Sequence, residues 1–198
     1  MTASRTIVFH TDFISPFAYL ANSQLPAIAQ RHGARIEYVP VDVMHAKLAG
    51  GNFAPSTRAM PAKAAFIRRD RLGWAARYGL PMNDPKAFRA PRLNSGLLLA
   101  GDRGVAREYA DAAFHRVWGL GGDPDDSALL AQICEVLGWD AREFIEHVES
   151  GSVRERYAQV QQKAWREGVF GVPMMMVGAE MFWGNDRLDF LEECLAAS

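Results

Sequence analysis

Cysteine is scarce. The chain of 198 residues holds only Cys134 and Cys194, without metal-ligand or redox spacing. Histidine is nearly as sparse: His10, His32, His45, His115 and His147 form no His-x-x-x-His or similar pair, so no metal centre is expected. A charge excess of either sign is also missing. Lys+Arg number 22 against 23 Asp+Glu, leaving a net charge near −1 that offers nothing to nucleic acid or an anionic membrane. No stretch reaches the roughly 18 uninterrupted apolar residues that a membrane span needs. The opening "MTASRTIVFHTDF" lacks the long apolar region of a signal peptide, and a soluble cytoplasmic protein is the expectation. Internal repeats and low-complexity tracts are absent as well. What is present is an apolar fraction of 49 %, enough for a substantial core in one large domain or in a small domain carrying an insertion.

"RTIVFHTDF" is β-branched and aromatic and reads as a buried strand over about residues 5–11. A helix follows from Pro16 to about Arg31, closed by Gly33, a favourable residue just past a helix end. "ARIEYVPVDV" alternates as a second strand over about 34–41, which completes a βαβ unit with parallel strands. "HAKLAGGNFAPSTRAMP" is rich in Gly and Pro and reads as a loop. Helical patterns then dominate. Segment 61–78 places Phe66, Ile67, Trp74 and Tyr78 at helical spacing, and segment 105–118 does so with Tyr109, Ala113, Phe114 and Val117. A helix over 127–137 ends at Gly138. Asp140 with Glu143 and Ser152 with Glu155 match capping boxes for two more, the second stopping at Gly168. "VPMMMVGAEMFWG" holds two short apolar runs about Gly178-Ala179, a hairpin signal, and "NDRLDFLEECLAA" closes the chain as an amphipathic helix.

The order is βαβ, a helical block, then helix–ββ–helix. Strands at both ends and none between them imply one sheet completed by both termini. The expected class is α/β: a thioredoxin-like sheet from residues 1–43 and 152–198, with a helical insertion over 44–151.

Three separated stretches, "DFISPFAYLA", "GGNFAP…MPAKAAFIRRD" and "GVFGVPMMMVGAEMFWGNDRLDFLEE", resemble the 2-hydroxychromene-2-carboxylate isomerases and the kappa-class glutathione transferases. The last is the most specific. These enzymes belong to the DsbA-like group of thioredoxin folds and use glutathione. The resemblance spans nearly the whole chain and implies a glutathione-dependent isomerase acting on a small aromatic substrate. A homodimer is implied too, with no nucleic-acid, membrane or metal partner. On the same scaffold, a transferase would instead release a glutathione conjugate. A thioredoxin-like module that binds glutathione or a peptide without catalysis is the reading from another class.

Ser15 and Pro16 suit the N-cap and first position of a helix, and that alone explains them. In a thioredoxin-like fold, however, the redox Cys-x-x-Cys occupies this junction, and Ser15, Pro16, Phe17 and Ala18 fill those four places. Dithiol exchange is excluded there, because no thiolate can form. What remains is a hydroxyl at a helix N-terminus, suited to stabilising a thiolate that, by the resemblance, glutathione supplies. Lowering a thiol pKa by about two units takes roughly 2.7 kcal/mol. A charge-assisted hydrogen bond gives about 1.5–3 kcal/mol and a helix N-terminus roughly 0.3–2 kcal/mol, so Ser15 and the first turn could supply it together.

Val172-Pro173 reads locally as a loop-to-strand junction or edge strand. In thioredoxin-like folds the matching proline is cis, which would turn the Val172 backbone toward the cysteinyl part of a bound tripeptide. Asn185 and Asp186 are ordinary helix-start residues; by the resemblance they hold the γ-glutamyl end. Arg187 is expected in a structural ion pair. Asn52 would usually be a turn residue after two glycines. Lys63, three and four residues before Phe66 and Ile67, either snorkels or meets the glycyl carboxylate, and the resemblance implies the second. Asp42 departs from the family pattern, and its region, with Phe13, Phe17, Phe53 and Trp183, could border the pocket for the organic substrate.

Overall fold

Strand β1 (Thr6–Thr11) and strand β2 (Arg35–Pro40) run parallel in register Phe9 to Tyr38, joined by helix α1 (Pro16–Arg31) as the crossover. The computed structural model describes residues 5–49, 51 and 59–197. Strand β3 (Met174–Val177) lies antiparallel on the other side of β1, and strand β4 (Glu180–Trp183) returns beside it through the expected Gly178-Ala179 turn. The sheet order is β2-β1-β3-β4. The two chain ends therefore build one mixed sheet, and β1 is an inner strand, which accounts for its continuous apolar character.

The helices in between start and stop where short-range chemistry directs. Helix α6 (Ser127–Leu137) is capped by Asp126, whose carboxylate accepts from Ala128 N at 2.9 Å, and ends before Gly138 at φ 67°. Asp140 caps helix α7 (Ala141–Val148) as expected, through Glu143 N at 2.8 Å. Helix α8 (Gly151–Arg166) corrects the expected cap. Ser150, not Ser152, has the extended backbone of a cap and accepts from Val153 N at 3.3 Å. A second correction concerns the Gly/Pro-rich loop after β2, because Val43–Ala49 form a short helix, α2. Asp42 starts it by accepting from Met44 N and His45 N at 2.9 and 3.1 Å, so its acidity has a local capping purpose.

Helix α3 (Pro61–Tyr78) has the expected bounds, but its buried side chains are Arg71 and Ala75, while Phe66 is exposed. Helix α4 (Pro91–Asp102) begins with proline at its first position. Helix α5 (Ala106–Phe114) passes into one π-helical turn, His115–Gly119, which buries Trp118. A three-residue 3₁₀ turn, Asn185–Arg187, leads into the last helix, α9 (Leu188–Ala197). Among the described residues no helix is long and apolar enough to cross a membrane.

Alternation along the strands creates two cores of unequal size. Phe9 and Met175 face the larger one, with Leu25 of α1, Leu97 of α4, Phe114 of α5 and Leu191 of α9. Met174 faces a smaller one with Val41, Ala164, Val169 and Val172. Helix α8 covers that second face, and Gln161 fastens it by donating to Pro40 O at 3.0 Å and accepting from Asp42 N at 2.8 Å.

Gly96 marks the tightest approach inside the helical layer. A β-carbon there would collide with the Tyr109 ring and hydroxyl and come within 2.6 Å of Phe144 Cζ. Helix propensity favours alanine over glycine by about 1 kcal/mol. Overpacking between two enclosed rings costs typically about 1–3 kcal/mol, so Gly96→Ala should lower stability in urea unfolding despite the better helix former. A stabilised variant would show that this packing yields readily.

Candidate active site at the strand–helix junction

Residues 12–15 connect β1 to α1, and nearly every polar group along them has a partner. Ser15 is the N-cap of α1, with φ −94° and ψ 115°, and its Oγ accepts from Ala18 N at 3.2 Å. Ser15 O accepts from Tyr19 N at 3.1 Å. Pro16 has no N–H. Among the described residues, Phe17 N–H is thus the first-turn donor left without a hydrogen-bond partner. The lone pair that Ser15 Oγ uses for the cap leaves its own hydrogen available for donation. Two donors, the Ser15 hydroxyl and the Phe17 amide, remain for an anion at the positive end of a 16-residue helix.

Val172-Pro173 is a cis peptide, as the sequence implied. The register pairs His10 with Met174, so Pro173 comes next to the C-terminal end of β1, the end of the sheet from which Ser15 departs. Val172 N–H and C=O take part in no backbone hydrogen bond among the described residues. Gly184 N donates to Pro173 O at 3.0 Å, tying Asn185 and Asp186 to the same end, and the 3₁₀ turn that carries them packs against α1. Gly184 sits at φ 108°, a backbone conformation that side chains rarely adopt, and a β-carbon there would collide with Asp186 Oδ1. Asn185 is buried beside the Tyr78 hydroxyl, yet its Nδ2 has no well-formed hydrogen bond among the described residues. Asp186 pairs with Arg187 at 3.5 Å, the expected structural ion pair.

Ser15, Val172, Pro173, Asn185 and Asp186 thus gather at one end of the sheet. Lys63 is exposed on the first turn of α3, and among the described residues no hydrogen bond or ion pair ties it to that group. Asn52 and Phe53 lie outside the described residues. Phe13 is corrected. Its ring is wholly buried against Phe114 and Tyr109, with centroids 4.8 and 5.8 Å away, so it borders core and not a pocket. Trp183 is exposed, meets Phe170 edge-on at 5.0 Å, and folds back over Gly171, beside Val172.

Sequence reasoning passed over the groups that hold this junction. Asp12 is 2 % exposed, accepts from Ile14 N at 3.2 Å, from Asn94 Nδ2 at 3.0 Å and from Val43 N at 3.0 Å. Burial pushes its carboxyl up to about 6, although those three donors favour the charged form. Asn94 takes Phe13 N at 3.3 Å and gives its amide also to Tyr157 Oη at 3.1 Å. Trp118 Nε1 donates to Phe13 O at 2.9 Å, and the Arg71 guanidinium, paired with Asp84, lies 5.2 Å over the Trp118 ring. Two signals were visible: an acid ending an otherwise apolar strand, and an asparagine inside the apolar run of α4. On the α8 side of β1, His10 is buried, its Nδ1 without a hydrogen bond among the described residues, and that burial lowers its pKa to about 4. Cys134 is buried, which pushes its thiol up to about 11, away from reactive thiolate chemistry.

A thioredoxin-type sheet, a cis-proline beside the junction, and serine in place of the redox cysteine define a thioredoxin-fold protein without dithiol chemistry at this site. The model of the DSBA-like thioredoxin domain matches residues 6–196, and the chain belongs to that family. Within it, the chain is 43 % identical over 192 residues to the 2-hydroxychromene-2-carboxylate isomerase of Sphingobium xenophagum, covering 97 % of this chain and 98 % of that one. A solved structure of a 2-hydroxychromene-2-carboxylate isomerase superposes with a TM-score of 0.93 at 39 % identity, covering 97 % of this chain and 95 % of that one. Human glutathione S-transferase kappa 1 is more distant, 22 % identical over 207 residues, with 96 % and 91 % of the two chains covered. The chain is an enzyme of the isomerase branch of this family.

The two buried titrating groups act on stability in opposite senses. Asp12, with a folded pKa about 6 against 3.8 unfolded, binds its proton more tightly when folded, so its contribution to stability falls as pH rises from about 4 to 6. His10, at about 4 against 6.5, is protonated first in the unfolded chain, so its contribution falls as pH drops from about 6.5 to 4. The two offset each other in the native protein. His10→Leu should expose the Asp12 half: between pH 6.5 and 4.5, its unfolding free energy should rise relative to wild type by about 2 kcal/mol. Parallel urea titrations at both pH values would show it, and an unchanged difference would mean His10 titrates normally in the fold.

Proposed function

We propose that the protein is a glutathione-dependent isomerase of 2-hydroxychromene-2-carboxylate-type aromatic substrates. The observation that carries this reading is the near full-length similarity to an isomerase of that name, 43 % over 97 % of the chain, combined with a hydroxyl, not a thiol, at the head of α1. Three features support glutathione as the cofactor. The Val172 N–H and C=O, in no backbone hydrogen bond among the described residues, suit the cysteinyl part in the manner of an added strand. The buried amide of Asn185, one residue before Asp186 on the same turn, suits with that carboxylate the paired carboxylate and ammonium of a γ-glutamyl end. Lys63 is an exposed cation at the start of α3 and is assigned to the glycyl carboxylate, with Asn52 as a further polar contact.

When bound, glutathione supplies a thiol nucleophile that is regenerated at the end of the turnover. The chain's own part is to hold that sulfur as an anion. Ser15 donates its hydroxyl hydrogen to it, Phe17 donates its amide, and the α1 dipole adds to both. Trp183 and Phe170 present exposed aromatic faces beside Val172 for the organic substrate. The kappa-class similarity favours a second reading, a transferase that releases a conjugate. Mass balance separates them: an isomerase leaves glutathione undiminished, whereas a transferase consumes one per turnover. Depletion in step with product would replace the isomerase reading.

Ser15→Ala should raise the pKa of the bound thiol by about one to two units, the equivalent of a lost charge-assisted hydrogen bond, and reduce turnover with a smaller change in affinity. The ultraviolet thiolate absorbance against pH measures it. Ser15→Thr keeps hydroxyl and cap and should titrate close to wild type. If the alanine and wild-type curves coincide at equal activity, Ser15 is a helix cap and nothing more.

The ends of the cofactor are tested separately. Asp186→Asn and Lys63→Met should each weaken glutathione by roughly 10–150-fold, from about 1.5–3 kcal/mol per charged contact. Lys63→Met should scarcely affect γ-Glu-Cys, which lacks the glycyl carboxylate. Calorimetric titration with both ligands decides the point, and equal losses would place Lys63 elsewhere.

A further inference from the structure

The polar partners of residues 12–15 come from every layer of the molecule. Phe13 N goes to Asn94 of α4, Ile14 N to the Asp12 carboxylate, and Ser15 N to Asp12 O at 2.9 Å, while Phe13 O receives Trp118 of the π turn. The Asp12 carboxylate also holds Val43 N at the start of α2, and Asn94 extends the chain of bonds to Tyr157 of α8. Both Asp12 and Asn94 are 2 % exposed. Neither touches the reacting end of the hydroxyl.

The residue types are specific to this arrangement. A short side chain that must accept from three N–H groups can only be a carboxylate. Asparagine at position 12 would turn an NH₂ against one of those donors. Asn94 must accept from Phe13 N and donate to Asp12 at once, which a carboxamide does at every pH. Among the described residues, no lysine or arginine acts on the Asp12 carboxyl, and its hydrogen-bond donors are all neutral N–H groups. A segment merely needing burial would be served by apolar side chains at lower cost.

We propose that Asp12 and Asn94 are positioning residues of the active site, a buried clamp that fixes the turn before α1 so that the Ser15 hydroxyl and Phe17 amide point at one place. The catalytic consequence rests on the function proposed above; the clamp itself does not.

Asn94→Ala removes the grip on Phe13 and one donor to Asp12. Amide exchange of Phe13 and Ile14 should accelerate at least about a hundredfold, while Phe9 and Met175 in the sheet keep their protection. The pKa of the bound glutathione thiol should rise by at least one unit and kcat fall at least about tenfold, while affinity for S-methylglutathione, which has no thiolate, changes less than about threefold. Asn94→Asp gives a signature that structural damage cannot imitate. Two carboxyls in contact share one proton at low pH, and the protonated member replaces the lost amide donor. Asp12 and the new carboxyl are faced by Asp42 beyond β2 and by Tyr157 of α8, with neutral Val43 N and Trp118 on the remaining sides. Its activity relative to wild type should therefore approach one near pH 6 and fall at least about tenfold by pH 8.5.

Unchanged exchange at Phe13 and Ile14 in folded Asn94→Ala would overturn the clamp, as would a pH-independent activity ratio for Asn94→Asp. Equal losses for glutathione and S-methylglutathione would overturn it too, by showing general collapse of the site. If Asn94→Ala does not fold, exchange at the same two amides in Asn94→Asp, measured at pH 6 and 8.5, decides: protection lost only at the higher pH supports the clamp, and protection kept at both refutes it. Should wild type show no glutathione thiolate band, the functional reading fails, and the exchange rates still decide the clamp.

Discussion

A buried carboxylate held by three neutral N–H groups is the constraint on which this molecule's working end depends. Asp12 closes β1, and its donors belong to the turn before α1, to the start of α2 and to α4. Remove its side chain, and three elements lose their common acceptor. The arrangement is costly by design of the chemistry: desolvation raises the carboxyl to about 6, and no cation among the described residues offsets it. That cost is tolerable because the rest of the fold is conventional, with a large apolar core on one face of the sheet and α8 sealing the other.

Much of the fold is legible in the sequence because its signals are local. The βαβ unit, the hairpin at Gly178-Ala179, and helix ends at Gly33 and Gly138 rest on periodicity and on residues that act within four positions of themselves. The sequence is ambiguous where two local solutions compete. Ser150 and Ser152 both suit a cap, and only the backbone of Ser150 is extended. In the segment after β2, glycine and proline farther along masked a short helix that Asp42 initiates. Helix α3 misled through its own periodicity, since Phe66 is exposed and the buried positions belong to Arg71 and Ala75. A charged side chain over an indole ring is a tertiary solution that no hydropathy pattern records.

The site divides the same way. Ser15 could be read because a cap has a sequence signature, and the cis bond before Pro173 because a thioredoxin-like fold implies one, and the scaffold brings both to one end of the sheet. The Asp12–Asn94 contact joins residues 82 positions apart, and Phe13 with Trp118 spans 105. Partnership at such separation is written in the fold alone. Even so, polar residues inside apolar runs are conspicuous, and each buried one must find its hydrogen bonds somewhere.

Replacing the redox cysteine by serine changes what the surrounding scaffold must do. A dithiol enzyme carries its own nucleophile on the chain, whose position follows from covalent geometry. Here Cys134 is buried with its thiol pushed up to about 11, and the head of α1 carries a hydroxyl too weakly acidic to act as an anion itself. Under the proposed function the nucleophile arrives on a separate molecule, and its alignment depends on where the Ser15 hydroxyl and Phe17 amide point. Displacement of either donor by an ångström weakens a hydrogen bond steeply. A site that borrows its nucleophile therefore needs a stiffer turn than one that owns it, and the density of hydrogen bonds at residues 12–15 meets that requirement.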